Sequence, residues 1–372
     1  MRVAFYAPLK PADHPTPSGD RLMAGLLVKA LSIAGHDVCV ASRLRTYAAT
    51  PDDGLYHALK AEAHREAARL IASWEASTTE WSPDCWFTYH PYYKSPDWIG
   101  PQISARFGIP YVTAEASHAP KRDKDAWQIW QADVITGLQQ ASANFCYTSI
   151  DREGLQRLGV PGRLVDLPPF IDPAPHVLRA RRSTAAPRIA TIGMMRRGNK
   201  LASYRMLSEA LKLLLDQPWR LAVIGDGPAR ADVLAAFAVI PPDRIDWLGK
   251  VDDETVAGEL EACDLYVWPG VDEAYGVSYL EAQAMGLPVV AQDTAGVPAV
   301  VENGLGGWLT PAGDIDAFVS AIRNLLTDPD MRAGMGAQAA RFVREKRGVP
   351  DAAVRLDTVL ASLPRPAGRP AP

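Results

Sequence analysis

Two periods of hydrophobicity alternate along the chain. Short runs that are apolar or β-branched at nearly every position (2–6, 37–41, 85–89, 111–114 and 143–147) predict strands covered on both faces, because a strand with one wet face would alternate apolar with polar. Between them apolar residues return at helical spacing. Leu22, Leu26, Leu27, Ala30 and Leu31 make one stripe of a helix over 20–34, closed by Gly35, and a longer helical stretch covers 55–74. Strand and helix repeated in this way predict a doubly wound α/β domain.

The pattern breaks at Leu167-Pro-Pro-Phe-Ile-Asp-Pro-Ala-Pro-His176, followed by Arg179, Arg181, Arg182 and Pro187. That density of proline cannot sit inside an element, so this stretch reads as a linker between domains. Beyond it the alternation restarts, with strands over 188–193, 220–225, 245–248, 265–269 and 288–292 and helices over 201–215, 229–238, 276–285 and 315–327. A last helical stretch over 331–363 precedes a Pro, Ala and Arg tail expected to be disordered. The expected organisation is therefore an N-terminal Rossmann-like domain (1–170), a linker (171–187), a C-terminal Rossmann-like domain (188–345), a helix (346–363) available to pack back on the first domain, and a tail (364–372). Two such domains face a cleft, and their ligands belong in the loops that follow strands.

Composition narrows the function classes. The 372 residues are 48% hydrophobic and 22% charged, with a formal net charge of −4. Such a chain can build real cores, and it offers no overall attraction to nucleic acid. Residues 1–9 read as a first strand, not a signal peptide, and the apolar stretch 23–34 is interrupted by Lys29, short of the ~18 residues of a membrane span. Cys39, Cys85, Cys146 and Cys263 are widely spaced in strand-like runs. They are expected to be reduced core thiols, which suits a cytoplasmic protein.

The densest chemistry lies in Val271-Asp-Glu-Ala-Tyr-Gly-Val-Ser-Tyr-Leu-Glu-Ala-Gln-Ala-Met-Gly-Leu-Pro-Val-Val290. Gly276 opens a helix whose free backbone N–H groups and partial positive charge suit an anion, and it carries no side chain to block a phosphate. Glu281, about a turn and a half inside the helix, is placed to accept hydrogen bonds from hydroxyls, and Glu273 faces whatever extends beyond the phosphates. A nucleoside diphosphate carrying a hydroxylated group fits this order. The alternative is a helix-end acid and a solvated helix position. Arg196 and Lys200, in Gly193-Met-Met-Arg-Arg-Gly-Asn-Lys200, are candidates to neutralise the diphosphate, against a plain solvated loop.

The E-x7-E spacing with Tyr275 and Gly276 after the first Glu, and Glu281-Ala-Gln-Ala-Met-Gly-Leu-Pro-Val-Val290 around the second, resembles the signature of GT-B glycosyltransferases of family 4, the retaining group 1 enzymes. The likeness extends from Ile224-Gly-Asp-Gly-Pro228 through Asp264-Leu-Tyr-Val-Trp-Pro269, Gly296-Val-Pro-Ala-Val-Val-Glu302 and Gly306-Gly-Trp-Leu-Thr-Pro311 to Asp314. It covers nearly the whole C-terminal domain and the N-terminal one more loosely. It implies the GT-B fold and transfer of a hexosyl group from a nucleoside diphosphate sugar, with retention, no metal and no cofactor. UDP-sugars are preferred as donor and GDP-mannose is next. The expected acceptor is a glycan, a lipid-linked sugar or a small molecule. Glu281 would hold the ribose, Tyr275 would line the donor site, the Gly276 and Val277 amides would hold phosphate, and Glu273 would contact the donor sugar. The family's usual Arg directly after the glycine is Met194 here, so Arg196 or Arg197 takes that job.

On the acceptor side the resemblance matches Ser18, Gly19 and Asp20 to a glycine pair that lets backbone approach the reacting centre; Ser18 or Asp20 could equally be a helix cap. His118 resembles the family's cleft histidine. Trp127 and Trp130, three apart, read as core more than as an acceptor platform. D-x-D pairs occur at 123–125, 314–316 and 328–330, none beside the glutamates. The dehydrogenase fingerprint and the Walker motif are missing. A sugar-nucleotide epimerase of the same fold and a non-catalytic glycan-binding protein are the competing readings. Peripheral membrane contact through the arginine run 179–182 is a further expectation.

Overall fold

The computed structural model describes residues 1–16, 18–76, 81–175 and 186–364. The arginine run 179–182, most of the linker and the tail from 365 lie outside the described residues. The chain splits into two compact units, 1–168 with 349–372 and 169–348.

In the first unit, β1 (Arg2–Tyr6), β2 (Asp37–Ser42), β3 (Cys85–Tyr89), β4 (Tyr111–Ala114), β5 (Ala143–Cys146) and β6 (Arg163–Asp166) form one sheet in the order β2-β1-β3-β4-β5-β6, with every pairing parallel. All five residues of β3 are buried, the double coverage that its unbroken apolar run predicts. The crossovers are α1 (Gly19–Ile33), α2 (Asp53–Ala76), α3 (Gly100–Phe107), α4 (Gln128–Leu138) and α5 (Ser149–Leu158). Thr148 and Asp151 close a capping box at the start of α5, satisfying amides that a helix end leaves bare. Buried Asp97 is tied by Thr88 Oγ1 (2.5 Å), the Ile99 and Gly100 amides (2.8 Å each) and Tyr111 Oη (3.2 Å). Trp127 and Trp130 are core residues, 5% and 0% exposed.

In the second unit the order is β12-β11-β10-β7-β8-β9, again all parallel. These strands are β7 (Arg188–Ile192), β8 (Arg220–Ile224), β9 (Ile245–Gly249), β10 (Leu265–Val267), β11 (Val289–Asp293) and β12 (Gly307–Pro311). Their helices are α6 (Asn199–Lys212), α7 (Arg230–Phe237), α8 (Asp253–Glu261), α9 (Val277–Ala284), α10 (Ile315–Thr327) and α11 (Pro329–Lys346). Hydrogen bonds continue past the ends of β7 and β8. Gly193 N donates to Ile224 O (3.0 Å) and Met195 N to Asp226 O (3.0 Å). This close approach requires Gly225, at φ +144°, where a Cβ would lie 1.9 Å from the Gly193 carbonyl oxygen.

Three expectations are corrected. The last helical stretch is two helices, α11 and α12 (Val349–Leu360). Gly348 is a poor helix residue, and Pro350 in the first turn of α12 restarts the chain. The second helix belongs to the first unit and packs on α1. Cys39 is exposed, while the other three cysteines are buried, and none of the four is in a disulfide; β2 is an edge strand whose Asp37 and Cys39 point to solvent. Strands β6 and β12 were not anticipated. Both are edge strands with half-exposed residues, so neither shows the apolar run of a central strand.

Candidate functional site

Each unit has a point where strand order reverses, and there the loops on either side diverge to leave a crevice beyond the strand ends. In the second unit it lies between neighbouring β7 and β10. The loop after β7 leads into α6, capped by Gly198 at φ 77°, and the loop after β10 leads into α9, capped by Gly276 at φ 77°. Neither helix has a side-chain cap, so both present bare amides at the crevice. The residues assigned to the donor converge on these loops.

Lys200, on the first turn of α6, donates to Glu273 Oε2 at 2.5 Å. The Trp268 indole donates to the same oxygen at 3.3 Å, and the Lys200 ammonium lies 5.4 Å from the Trp268 ring centre. The turn bearing Glu273 is pinned by backbone bonds from Glu273 N to Gly270 O (3.0 Å) and from Gly296 N to Glu273 O (3.1 Å). Tyr279 Oη donates to Trp268 O at 3.0 Å.

Gly276 is required first by its own protein. A Cβ there would sit 2.8 Å from the Tyr279 ring, in a left-handed backbone that side chains resist. Val277 is the first residue of α9, and Tyr275 is buried beside it. Glu281 is half-buried, and its carboxyl makes no hydrogen bond among the described residues. Burial, with a contribution from Asp253, pushes its carboxyl up to about 7. Arg196 and Met194 are exposed, and Arg197 lies 3.9 Å from Asp232. Arg196 is thus the cation of this loop with no side-chain partner among the described residues.

In the first unit the reversal lies between β1 and β3. Ser18 caps α1, its Oγ accepting from Arg21 N at 3.2 Å. Gly19 is the first helical residue, and a Cβ there would meet nothing within 4 Å. Asp20 reaches His90 Nδ1 at 3.2 Å. His118 Nε2 is held by Asp123 at 3.1 Å, and its Nδ1 is buried without a partner. Of the D-x-D aspartates, Asp314 and Asp328 cap α10 and α11, and Asp125 binds Arg122 and the Trp127 amide.

Sequence reasoning missed a cluster here. His90 and Glu115 directly follow β3 and β4, both at positive φ (57° and 55°). Left-handed backbone at residues other than glycine concentrates at functional sites. Tyr89 Oη donates to Glu115 Oε2 at 2.8 Å, and Glu115 Oε1 lies 3.9 Å from His90 Nδ1. Burial drives Glu115 up to about 7; it also works against a charged His90, but Glu115 and Asp20 outweigh it and hold the imidazole up at about 9. The available signal was a histidine and a glutamate immediately after two delimited strands.

Residues 186–328 match the family model of the group 1 glycosyl transferases. The chain is 29% identical over 289 residues to a D-inositol 3-phosphate glycosyltransferase of Kineococcus radiotolerans, covering 68% of this chain and 66% of that one, just under two thirds of the relative. Among solved structures, sucrose-phosphate synthase from Thermosynechococcus elongatus superposes with a TM-score of 0.71 at 19% identity, over 97% of this chain and 98% of the other. Anabaena HepE in complex with UDP superposes with a TM-score of 0.70 at 15% identity, over 98% and 100%. These structural likenesses establish a shared fold of two doubly wound α/β units, the GT-B architecture.

Proposed function

We propose that the chain is a group 1 glycosyltransferase, a reading supported by the match over residues 186–328 and by the inositol 3-phosphate relative, and that it moves a hexosyl group from a nucleoside diphosphate sugar to a hydroxyl acceptor. The observation that carries the reading is the grouping at the β7/β10 reversal: Lys200, Arg196, the uncapped start of α9, and two carboxylates, one of which, that of Glu281, has no hydrogen-bond partner among the described residues. A diphosphate matches the cations and amides, and hydroxylated groups on either side of it match the carboxylates.

In this reading Glu281 accepts from the ribose hydroxyls, the Gly276 and Val277 amides bind phosphate, and Glu273 orients the sugar. The bond between the sugar anomeric carbon and the phosphate oxygen breaks. The acceptor oxygen bonds to the same carbon on the same face, and its proton passes to the leaving phosphate oxygen, so configuration is retained. Negative charge grows on the diphosphate as that bond breaks, and Lys200, Arg196 and the helix end stabilise it. This step uses neither metal nor cofactor.

UDP is the preferred nucleotide, a choice supported by the UDP bound to HepE on the same fold. An acceptor that is a small polyol, a glycan or a lipid-linked sugar is supported by relatives such as the inositol 3-phosphate enzyme. No helix among the described residues is long and apolar enough to cross a membrane. Free cysteines support a cytoplasmic location, with any membrane contact peripheral.

The test is donor turnover with UDP-glucose, UDP-galactose, UDP-N-acetylglucosamine and GDP-mannose against pooled acceptors. Acceptor-dependent release of nucleoside diphosphate, reduced at least 100-fold in Glu273→Ala, is expected. Interconversion of the sugar without acceptor would overturn the reading, as would a Glu273→Ala variant of undiminished activity.

A further inference from the structure

We propose that Trp268 is a positioning residue of the donor site, fixing Glu273 through its indole N–H and Lys200 through its ring face; the inference rests on the function proposed above. Trp268 stands immediately after β10 and is 1% exposed, so its N–H needs a partner. The partner it has is the carboxylate assigned to the donor sugar, at 3.3 Å. Both the indole and the Lys200 ammonium donate to Oε2 of Glu273. Oε1 is left without a hydrogen bond among the described residues and can serve a ligand while Oε2 stays anchored.

The ring is packed between Tyr204 and the loop after β7. Tyr204 packs edge-on at 4.8 Å and donates its hydroxyl to Gly193 O at 2.6 Å. A Cβ on Gly193 would come within 3.0 Å of the indole, so glycine at that position is what lets the ring lie against the loop after β7. The Trp268 backbone is bound from both sides, its N–H donating to Val290 O and its carbonyl accepting from Tyr279 Oη. Trp268 therefore ties together the loops that follow β7 and β10.

A diphosphate competes with Glu273 for Lys200. If the ammonium leaves the carboxylate, two long side chains would become mobile at the moment the sugar has to be oriented. The indole prevents this for each separately: its N–H keeps the carboxylate in place, and its π face, 5.4 Å from the ammonium, gives the cation a second point of attachment. The two functions belong to different parts of one side chain, so substitution can separate them.

The experiment uses Trp268→Phe, Trp268→His and Trp268→Leu in the full chain. It measures affinity for UDP alone and KM and kcat with UDP-glucose, or GDP and GDP-mannose where wild type prefers them. Phe keeps a ring beneath Lys200 and removes the N–H. It should leave nucleotide affinity within about twofold while kcat falls about tenfold. His, which retains a ring N–H, should restore part of kcat, and Leu should weaken nucleotide binding about tenfold as well.

Trp268→Phe with wild-type kcat and KM overturns the proposal, and so do variants whose nucleotide affinity and kcat decline in parallel with melting temperature. A measurement on the wild-type protein covers a variant that fails to fold. The 15N-labelled indole resonance of Trp268 should shift with UDP, as Lys200 leaves Glu273 Oε2, and move to a different position with UDP-glucose, when sugar hydroxyls reach the carboxylate; an indole that responds to neither, or identically to both, in a protein that binds both overturns the proposal. A wild-type protein that binds neither nucleotide and turns over neither sugar refutes the function itself. An active wild type with an indifferent Trp268 refutes this inference alone.

Discussion

The sharpest handle on the site is Glu281, whose carboxyl burial pushes up to about 7. A hydroxyl donating to this group favours the ionised form, so donor affinity should depend on how much of the carboxylate exists before binding. With a pKa of about 7, roughly 3% is ionised at pH 5.5 and nearly all at pH 8.5. Donor affinity should therefore rise about 30-fold between those limits, about 2 kcal/mol. The assay is calorimetric titration of a nucleoside diphosphate sugar across this range. Each of its phosphates carries one ester and the shared anhydride bond, so the ligand brings no phosphate titration of its own in this range.

Glu281→Gln should bind weakly and show little pH dependence. The same substitution should stabilise the protein above neutral pH. The folded carboxyl holds its proton more tightly than the unfolded one at 4.5, so the cost of ionising it accumulates between pH 4.5 and 7, reaching at most ~3 kcal/mol. Thermal melts at pH 8 should show the Gln variant as the more stable and the weaker binder. A flat affinity profile in wild type, or an unchanged slope in Glu281→Gln, refutes the reasoning.

Two further outcomes follow from the geometry. His90, held up at about 9 by Glu115 and Asp20 against its burial, contributes stability that is complete below pH 6.5 and is lost as pH rises through 9; imidazole NMR should place its midpoint near 9, and Asp20→Asn should lower that midpoint. Gly225→Ala should cost about 3 kcal/mol or more in chemical denaturation, because its methyl would meet the Gly193 carbonyl oxygen in a backbone at φ +144°; a variant of wild-type stability would show that the two loops can separate freely.

What the sequence disclosed and what it hid divide along a physical line. Parallel strands covered on both faces read as apolar runs, which is why β1, β3, β4 and β8 were delimited almost to the residue. Edge strands such as β6 and β12 lie half in water and carry no such run. Local chemistry was legible in the same way: Glu273, Gly276 and Glu281 lie within one turn and helix, and their spacing is a sequence property. Lys200 and Glu273 are 73 residues apart, and nothing local indicates that they share a proton-donor contact. Trp268 sat within a motif whose aliphatic neighbours suggested only a strand. Asp20, His90 and Glu115 come from three elements that the strand order of the sheet alone brings to one end.

The pairing of Lys200 with Glu273 also changes the electrostatic account of donor capture. The chain carries a net charge of −4, and the lysine nearest the proposed phosphate site is already neutralised at 2.5 Å. The positive charge that a diphosphate meets from solvent is therefore Arg196, exposed on the loop before α6, together with the uncapped starts of α6 and α9. On the proposed function Arg196 would act on encounter and Lys200 after it, once phosphate oxygens replace Glu273 Oε2 as its partner. That exchange leaves the number of charge pairs at Lys200 unchanged and frees Glu273 to accept from sugar hydroxyls. A diphosphate without a sugar leaves the carboxylate with the Trp268 indole N–H and no cation in a half-buried place, and such a charge is costly. The same pair that lowers the site's first attraction for phosphate thus favours a nucleotide that brings hydroxyls with it.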